Sequence, residues 1–318
     1  MLWVHIEKGK VQLREGALPR RKRGHALVRL LCAGICNTDL ELLRGYYRFR
    51  GIPGHEFVGR VEEADDRRLE GRRVVGEINL ACGDCDWCRR GLGRHCPRRT
   101  VLGILKHAGC FSEYFTLPEE NLHIVPHRIA DDEAVFTEPV AAACEILDQV
   151  RIPKGSAVAV LGDGKLGLLA AQVLRVHGAE VHLFGKHRNK LAIAEKAGVK
   201  GRKSGGRLPR AAYDWVVEAT GSPGGLTQAV AMTRPRGTVI LKSTVHGAVG
   251  IDTAPVVVNE VTLIGSRCGR FEPALKLLRS GKLRVREMIS ARLPLRDAVR
   301  GFDMAQRRGV LKVLLTNP

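Results

Sequence analysis

The sequence predicts a two-part α/β chain, a β-rich half followed by a doubly wound parallel sheet, and three observations carry that prediction. Up to about residue 125 the apolar runs are short and β-like, as in Leu27-Val28-Arg29-Leu30-Leu31 and Phe57-Val58-Gly59-Arg60-Val61, with Gly and Pro between them. From Ser156 onward apolar strands alternate with amphipathic helical stretches, the rhythm of βαβ units. At 318 residues, with 44% hydrophobic and 27% charged side chains, the chain is long enough for two cores and too apolar to be disordered.

The elements of the second half follow in order. Ala157-Val158-Ala159-Val160-Leu161 is a buried strand, and the helix after it runs to about His177, where Gly178 closes it. A strand at 181–184, a helix ending before Gly198, a strand at 215–217 and a helix at 226–232 come next, then strands at 238–241 and 261–264. Residues 201–210, rich in Gly, Lys and Arg, read as a basic surface loop. After Gly269 two short helical segments lead to a strand-like Leu311-Lys312-Val313-Leu314-Leu315, and the tail is expected to return to the first half. The expected division is 1–140, 141–269 and a returning 270–318.

With 52 Lys plus Arg against 33 Asp plus Glu, the chain carries +19. That charge raises nucleic-acid binding as a rival function, with clusters at Arg20-Arg21-Lys22-Arg23 and Arg98-Arg99. The basic residues are spread over the whole chain and aromatics for base stacking amount to 5%, so solvated surface charge is the reading and no specific nucleic-acid partner is expected. No apolar run approaches the ~18 residues of a membrane span, and Met1-Leu2-Trp3-Val4-His5 lacks the basic start and apolar stretch of a signal peptide. A cytoplasmic protein without a membrane partner is expected. Nine cysteines, four of them between Cys82 and Cys96, then point to metal rather than to a disulfide framework.

Gly162, Gly164 and Gly167, with Lys165 and Leu166 inside the motif, form G-x-G-x-x-G directly after a strand and at the start of a helix. The first glycine permits the tight turn, the second lets a pyrophosphate approach the backbone, and the third lets helix and strand pack closely. The helix N-terminus supplies the anion site of a dinucleotide. About 20 residues further on, an acid normally binds the ribose hydroxyls of NAD. Here Gly185-Lys186-His187-Arg188 stands in that place, so the carboxylate is missing and NADP is favoured, with NAD as the alternative.

Cys82-x2-Cys85-x2-Cys88-x7-Cys96 brings four thiolates into one polar loop, the number that closes a tetrahedral structural zinc. A second set lies upstream: Cys36, then His55-Glu56. One thiolate, one imidazole and a carboxylate with a vacant position describe a catalytic zinc, although by spacing alone such a Cys and His are more often core and surface residues than ligands.

The order Cys36-Asn37-Thr38-Asp39, Gly54-His55-Glu56, the four-cysteine lobe, Glu138-Pro139 and the glycine motif resembles the zinc-dependent alcohol and polyol dehydrogenases of the medium-chain dehydrogenase/reductase superfamily. The resemblance spans nearly the whole chain. It implies a GroES-like catalytic domain joined to a Rossmann domain, two zinc ions (one catalytic, one structural), a homodimer or homotetramer, and hydride transfer between an alcohol, polyol or sugar hydroxyl and NADP. It implies Cys36 and His55 as zinc ligands, with Glu56 or Glu138 as the third, and Asp39 as the acid that orients the zinc histidine, which reads equally as a helix-start acid. Thr38 would relay the substrate proton, and Glu41 stands where many relatives have a histidine, so the outer relay differs. Thr220 and Gly221 resemble the family's strand-end loop beside the cofactor, and Ile264 lies in a stretch that resembles its segment near the nicotinamide; Ser243 is expected among the cofactor-binding residues. The stretch 63–71 is short for the family. Two rivals remain at this level: a zinc-free NADPH-dependent carbonyl or quinone reductase of the same superfamily, and a zinc-containing nucleic-acid binder.

Overall fold

A computed structural model of the chain describes residues 1–245 and 248–317. It resolves into two compact units, Met1–Glu138 with Ile289–Pro318, and Pro139–Met288.

The first unit opens with a hairpin of β1 (Leu2–Glu7) and β2 (Lys10–Glu15), in which buried Val4 and Ile6 alternate with more exposed positions. β3 (His25–Gly34) is its long central strand, followed by α1 (Asn37–Leu43), β4 (Phe57–Glu63) and β5 (Arg73–Gly76). The short β6 (Asn79–Leu80), α2 (Asp86–Arg89), β7 (Thr100–Leu102) and β8 (Lys106–His107) frame the cysteine lobe. β9 (Tyr114–Pro118), β10 (Leu122–Ile124) and α3 (Asp131–Ala134) complete this stretch. α4 (Thr137–Gln149) leads into the second unit.

The second unit is a six-stranded sheet. β11 (Ala157–Leu161), α5 (Lys165–His177), β12 (Glu180–Gly185), α6 (Arg188–Lys196), β13 (Lys200–Lys203), β14 (Tyr213–Glu218), α7 (Gly225–Met232), β15 (Thr233–Leu241), α8 (Ala254–Val258) and β16 (Thr262–Gly265) follow in chain order. The spatial order is β13-β12-β11-β14-β15-β16 and every pair is parallel, the doubly wound arrangement in which strand order reverses between β11 and β14. Central strands covered on both faces need continuous apolar runs, and Val158 to Leu161 are all buried. α5 packs Leu168, Leu169, Ala171 and Leu174 inward and ends at Gly178 in the left-handed region, φ 111°.

Residues 201–210 are not wholly loop: Lys200–Lys203 form the edge strand β13, paired in register with β12. An edge strand with one neighbour carries charge and shows no alternation, so the pattern hid it. The returning segment begins at Ile289 rather than at 270. Residues 270–288 stay with the second unit because α9 (Phe271–Arg279) buries Phe271, Ala274, Leu275 and Leu278 there, and Arg284 N–H donates to Gln172 Oε1 at 2.7 Å. β17 (Ile289–Pro294), α10 (Ala298–Ala305) and β18 (Lys312–Thr316) then join the first unit, where the sheet runs β10-β5-β4-β3-β18-β17 with β9 also on β3. Among the described residues no helix is long and apolar enough to cross a membrane.

Candidate active site

The carboxyl end of β3 gathers a donor cluster. Gly34 N–H donates to Glu56 O at 2.9 Å, and Ile35 N–H donates to Val313 O at 2.9 Å, so the loop that carries Cys36 is pinned between the Gly54-His55-Glu56 turn and the last strand of the chain. Gly54 lies at φ 101°, and a Cβ there would fall 2.3 Å from the Phe111 ring, so the turn requires glycine. One ligand atom each from Cys36, His55 and Glu56 lies within 4.8 Å of the others.

Asp39 ties the cluster together. It is fully buried at the third position of α1; its Oδ2 accepts Cys36 N–H at 2.8 Å, and its Oδ1 accepts Gly54 N–H at 3.2 Å and stands 3.3 Å from His55 Nδ1. The carboxylate therefore closes the helix start and sets a negative charge at ion-pair distance from the imidazole. Burial disfavours the charged form of His55, but Asp39 and the Cys36 sulfur outweigh it and hold the pKa well above the usual value.

Lys312 was not foreseen as part of this site. Its ammonium donates to Glu56 Oε2 in an ion pair whose side chains are 2% and 1% exposed, and it lies 5.6 Å from the centre of the Phe136 ring. Burial works against its charge, yet Glu56, Cys36 and Glu138 raise its pKa above the ordinary lysine range. Glu56 Oε1 is buried with no hydrogen-bond partner among the described residues. A carboxylate oxygen in that position costs free energy unless something binds it, and with a thiolate and an imidazole beside it the donor set fits a zinc ion.

The four cysteines of the lobe also form a group that could hold a metal ion. Sulfur separations are 3.8 Å for Cys82 and Cys88, 3.4 Å for Cys85 and Cys88, 3.7 Å for Cys85 and Cys96, and 3.4 Å for Cys96 and Cys82. Disulfide sulfurs stand about 2.05 Å apart. Four thiolates about 2.3 Å from one zinc stand about 3.8 Å apart, which these separations approach.

In the second unit the carboxyl ends of β11, β12, β14 and β15 form one edge. Gly162 turns there at φ 107°, and a Cβ on Gly167 would fall 2.0 Å from Gly162 O, so strand and helix touch only because position 167 is glycine. Gly164, the N-cap of α5, meets nothing within 4 Å on its Cβ side, which leaves room for a pyrophosphate. Gly221 N–H donates to Ser243 Oγ at 2.8 Å, and Thr220 is held by Glu218 Oε1, which accepts from its N–H at 2.8 Å and its hydroxyl at 2.6 Å.

Two family models match the chain: an alcohol dehydrogenase GroES-like domain over residues 22–127 and a zinc-binding dehydrogenase domain over 166–280. D-altritol 5-dehydrogenase of Agrobacterium fabrum is 30% identical over 318 residues, covering 93% of each chain. The chain belongs to the zinc-binding alcohol dehydrogenase family. Alcohol dehydrogenase TADH from Thermus sp. ATN1 is 30% identical with a TM-score of 0.91 over 100% of both chains. An NADP-bound Sinorhizobium meliloti structure, described as a zinc-binding dehydrogenase, is 28% identical with a TM-score of 0.92 over 99% of both.

The chain is therefore an oxidoreductase of the medium-chain dehydrogenase/reductase superfamily, with a GroES-like domain and a Rossmann-like sheet. Among its expected site residues, Cys36, His55, Glu56 and Asp39 come together, with Thr38 Oγ1 3.8 Å from Cys36 Sγ. Glu138 stands outside the mutual cluster, half-buried at the start of α4. Glu41 pairs with Arg44 at 2.7 Å. Lys165 and Leu166 open α5; Lys186 is exposed, while Arg188 is engaged with Glu195 at 2.5 Å. Ile264 sits on the edge strand β16, in register with Ile240. Lys312 carried one available signal, a lysine inside an otherwise apolar final strand.

Proposed function

We propose that this dehydrogenase oxidises a hydroxyl of a polyol or sugar with NADP as the preferred acceptor, that Cys36, His55 and Glu56 hold its catalytic zinc, and that the four-cysteine lobe holds a structural one. The observation that carries the reading is the clustered Cys36, His55 and Glu56 donor set, buried at His55 and Glu56, with the unpartnered Oε1 of Glu56. Zinc bound there supplies Lewis-acid polarisation of the substrate oxygen. The rest falls to the chain's own residues. Asp39 fixes Cys36 and His55; Lys312 neutralises Glu56, so this carboxylate can stay ionised out of water; and the Thr38 hydroxyl takes the proton leaving the substrate and passes it outward. Glu41 occupies the outer relay position.

The polyol assignment is supported by the D-altritol relative. The NADP preference is supported by the absence of an acid at Gly185, by Lys186 and His187 after it, and by the NADP-bound relative. Oligomerisation is supported by the open edge of β16, where Leu263 is 38% exposed, and by Val257 and Val258 on α8, 72% and 79% exposed. The test is reduction of NADP and NAD by a panel of polyols, sugars and simple alcohols, followed by nicotinamide absorbance. Polyols or sugars with NADP should give the highest kcat/KM. Turnover confined to simple alcohols, or a higher kcat/KM with NAD, would overturn the corresponding part.

A further inference from the structure

The carboxylate missing from the end of β12 has a counterpart one loop away. Asp163, between the first two glycines of the motif, is 8% exposed, and its side chain fills the space beside Gly185: a Cβ on Gly185 would fall 2.5 Å from Asp163 Cβ and 2.6 Å from its Oδ2. The acid does not face outward as a ribose-binding acid would. Its Oδ2 accepts His187 N–H at 2.7 Å, and its two oxygens stand 3.2 and 3.0 Å from His187 Nδ1. His187 is the N-cap of α6, so the carboxylate also meets the positive end of a nine-residue helix.

Both oxygens are thus spent on one residue, and the ring is held by Nδ1 with its side chain 44% exposed. In the imidazolium form such a ring donates from Nδ1 to the aspartate and from Nε2 to an incoming anion. Other cations gather at the same sheet end. Lys186 is exposed next in sequence, and the parallel register sets Lys203 of β13 opposite Gly185, with Ser204 N–H donating to Gly185 O at 2.8 Å. Arg188 points its charge at Glu195 instead.

We propose that Asp163 is a positioning residue for cofactor choice: by holding the His187 ring and backbone it aims Nε2 at the 2′-phosphate of NADP, so a glycine-loop acid serves phosphate recognition rather than ribose recognition. This rests on the NADP reading above. It makes Asp163 and His187 one unit, with Gly185 as the position that must lack a side chain for the unit to form.

The test measures dissociation constants of NADPH and NADH by fluorescence, and of 2′,5′-ADP and ADP by calorimetry, for wild type, Asp163→Asn, His187→Gln and the double variant. Both single variants should weaken NADPH and 2′,5′-ADP about tenfold, the scale of one charge-assisted hydrogen bond. NADH and ADP should stay within about twofold, and the double variant should be no weaker than His187→Gln alone, since the residues act as a unit. A variant that fails to fold is recognised by loss of ADP binding, and His187→Gln, which leaves the glycine loop intact, then carries the comparison. Tighter NADPH in Asp163→Asn would show a repelling acid, weaker NADH a displaced ribose acid, and additive losses two independent contacts; each overturns the proposal. A wild type that binds NADH more tightly than NADPH overturns the NADP reading and the proposal with it. Wild-type NADPH preference unchanged in Asp163→Asn overturns the proposal alone.

Discussion

Replacing Lys312 with methionine removes a buried positive charge while keeping an apolar stem of similar length. Its partner Glu56 is 1% exposed, and Gly34 crowds the other side, since a Cβ there would lie 2.5 Å from Glu56 Oε2, so the carboxylate has no route to water. Breaking a buried pair by deleting one member costs about 3–5 kcal/mol, because the remaining charge is uncompensated. Lys312→Met should therefore lower the unfolding free energy of chelator-treated protein by about that amount, measured by urea titration. In zinc-loaded protein the loss should be smaller, because the ion provides the countercharge. The double variant Glu56→Gln with Lys312→Met should recover most of the loss, as neutral groups replace both ions. A loss under about 1 kcal/mol for Lys312→Met, typical of an exposed pair, would mean that Glu56 keeps its charge compensated without Lys312. A double variant as unstable as the single one would mean that the loss does not come from an uncompensated charge on Glu56.

Asp39→Asn keeps the shape but weakens the acceptor that holds His55 and the Cys36 amide, and it should lower zinc affinity or turnover about 10–100-fold by chelator competition and steady-state kinetics. Burial pushes the Cys32 thiol up to about 12, with Asp131 and Asp132 adding to it, and burial with Asp148 pushes Cys144 up to about 12 as well. A raised pKa leaves the unreactive thiol at about pH 8, so iodoacetamide followed by mass spectrometry should leave both unmodified until denaturant is added. Gly167→Ala places a methyl 2.0 Å from Gly162 O, and it should abolish NADPH binding and lower Tm, read by fluorescence and calorimetry.

What the sequence revealed depended on how local each feature is. The glycine turn is contiguous, and so are the four cysteines, so spacing alone described both sites. The parallel sheet was legible because β11 reads as one unbroken apolar run and β12 and β14 carry the buried apolar stretches Leu183-Phe184 and Val216-Val217, each followed by a helix. β13 and β17 were missed for the opposite reason: Lys200–Lys203 is charged throughout, and Ile289–Pro294 has no fully buried position to set a pattern. Cys36 and His55 gained meaning only from the family resemblance. Lys312 could not be placed at all, because its partner Glu56 lies 256 residues away and the two meet only when β18 lies beside β3. Asp163 looked like an incidental residue inside a glycine motif until its contacts with His187 were visible.

The catalytic metal is proposed to sit on Cys36, His55 and Glu56. Metal content per chain by mass spectrometry, on protein purified without added metal, together with turnover of a polyol that the wild type accepts, tests this placement in wild type and Cys36→Ala. The account predicts about two zinc ions per wild-type chain, and about one, with turnover lost, in the variant, because the four-cysteine lobe keeps its own ion. A Cys36→Ala protein that retains full activity, or the same metal content as wild type, would contradict it.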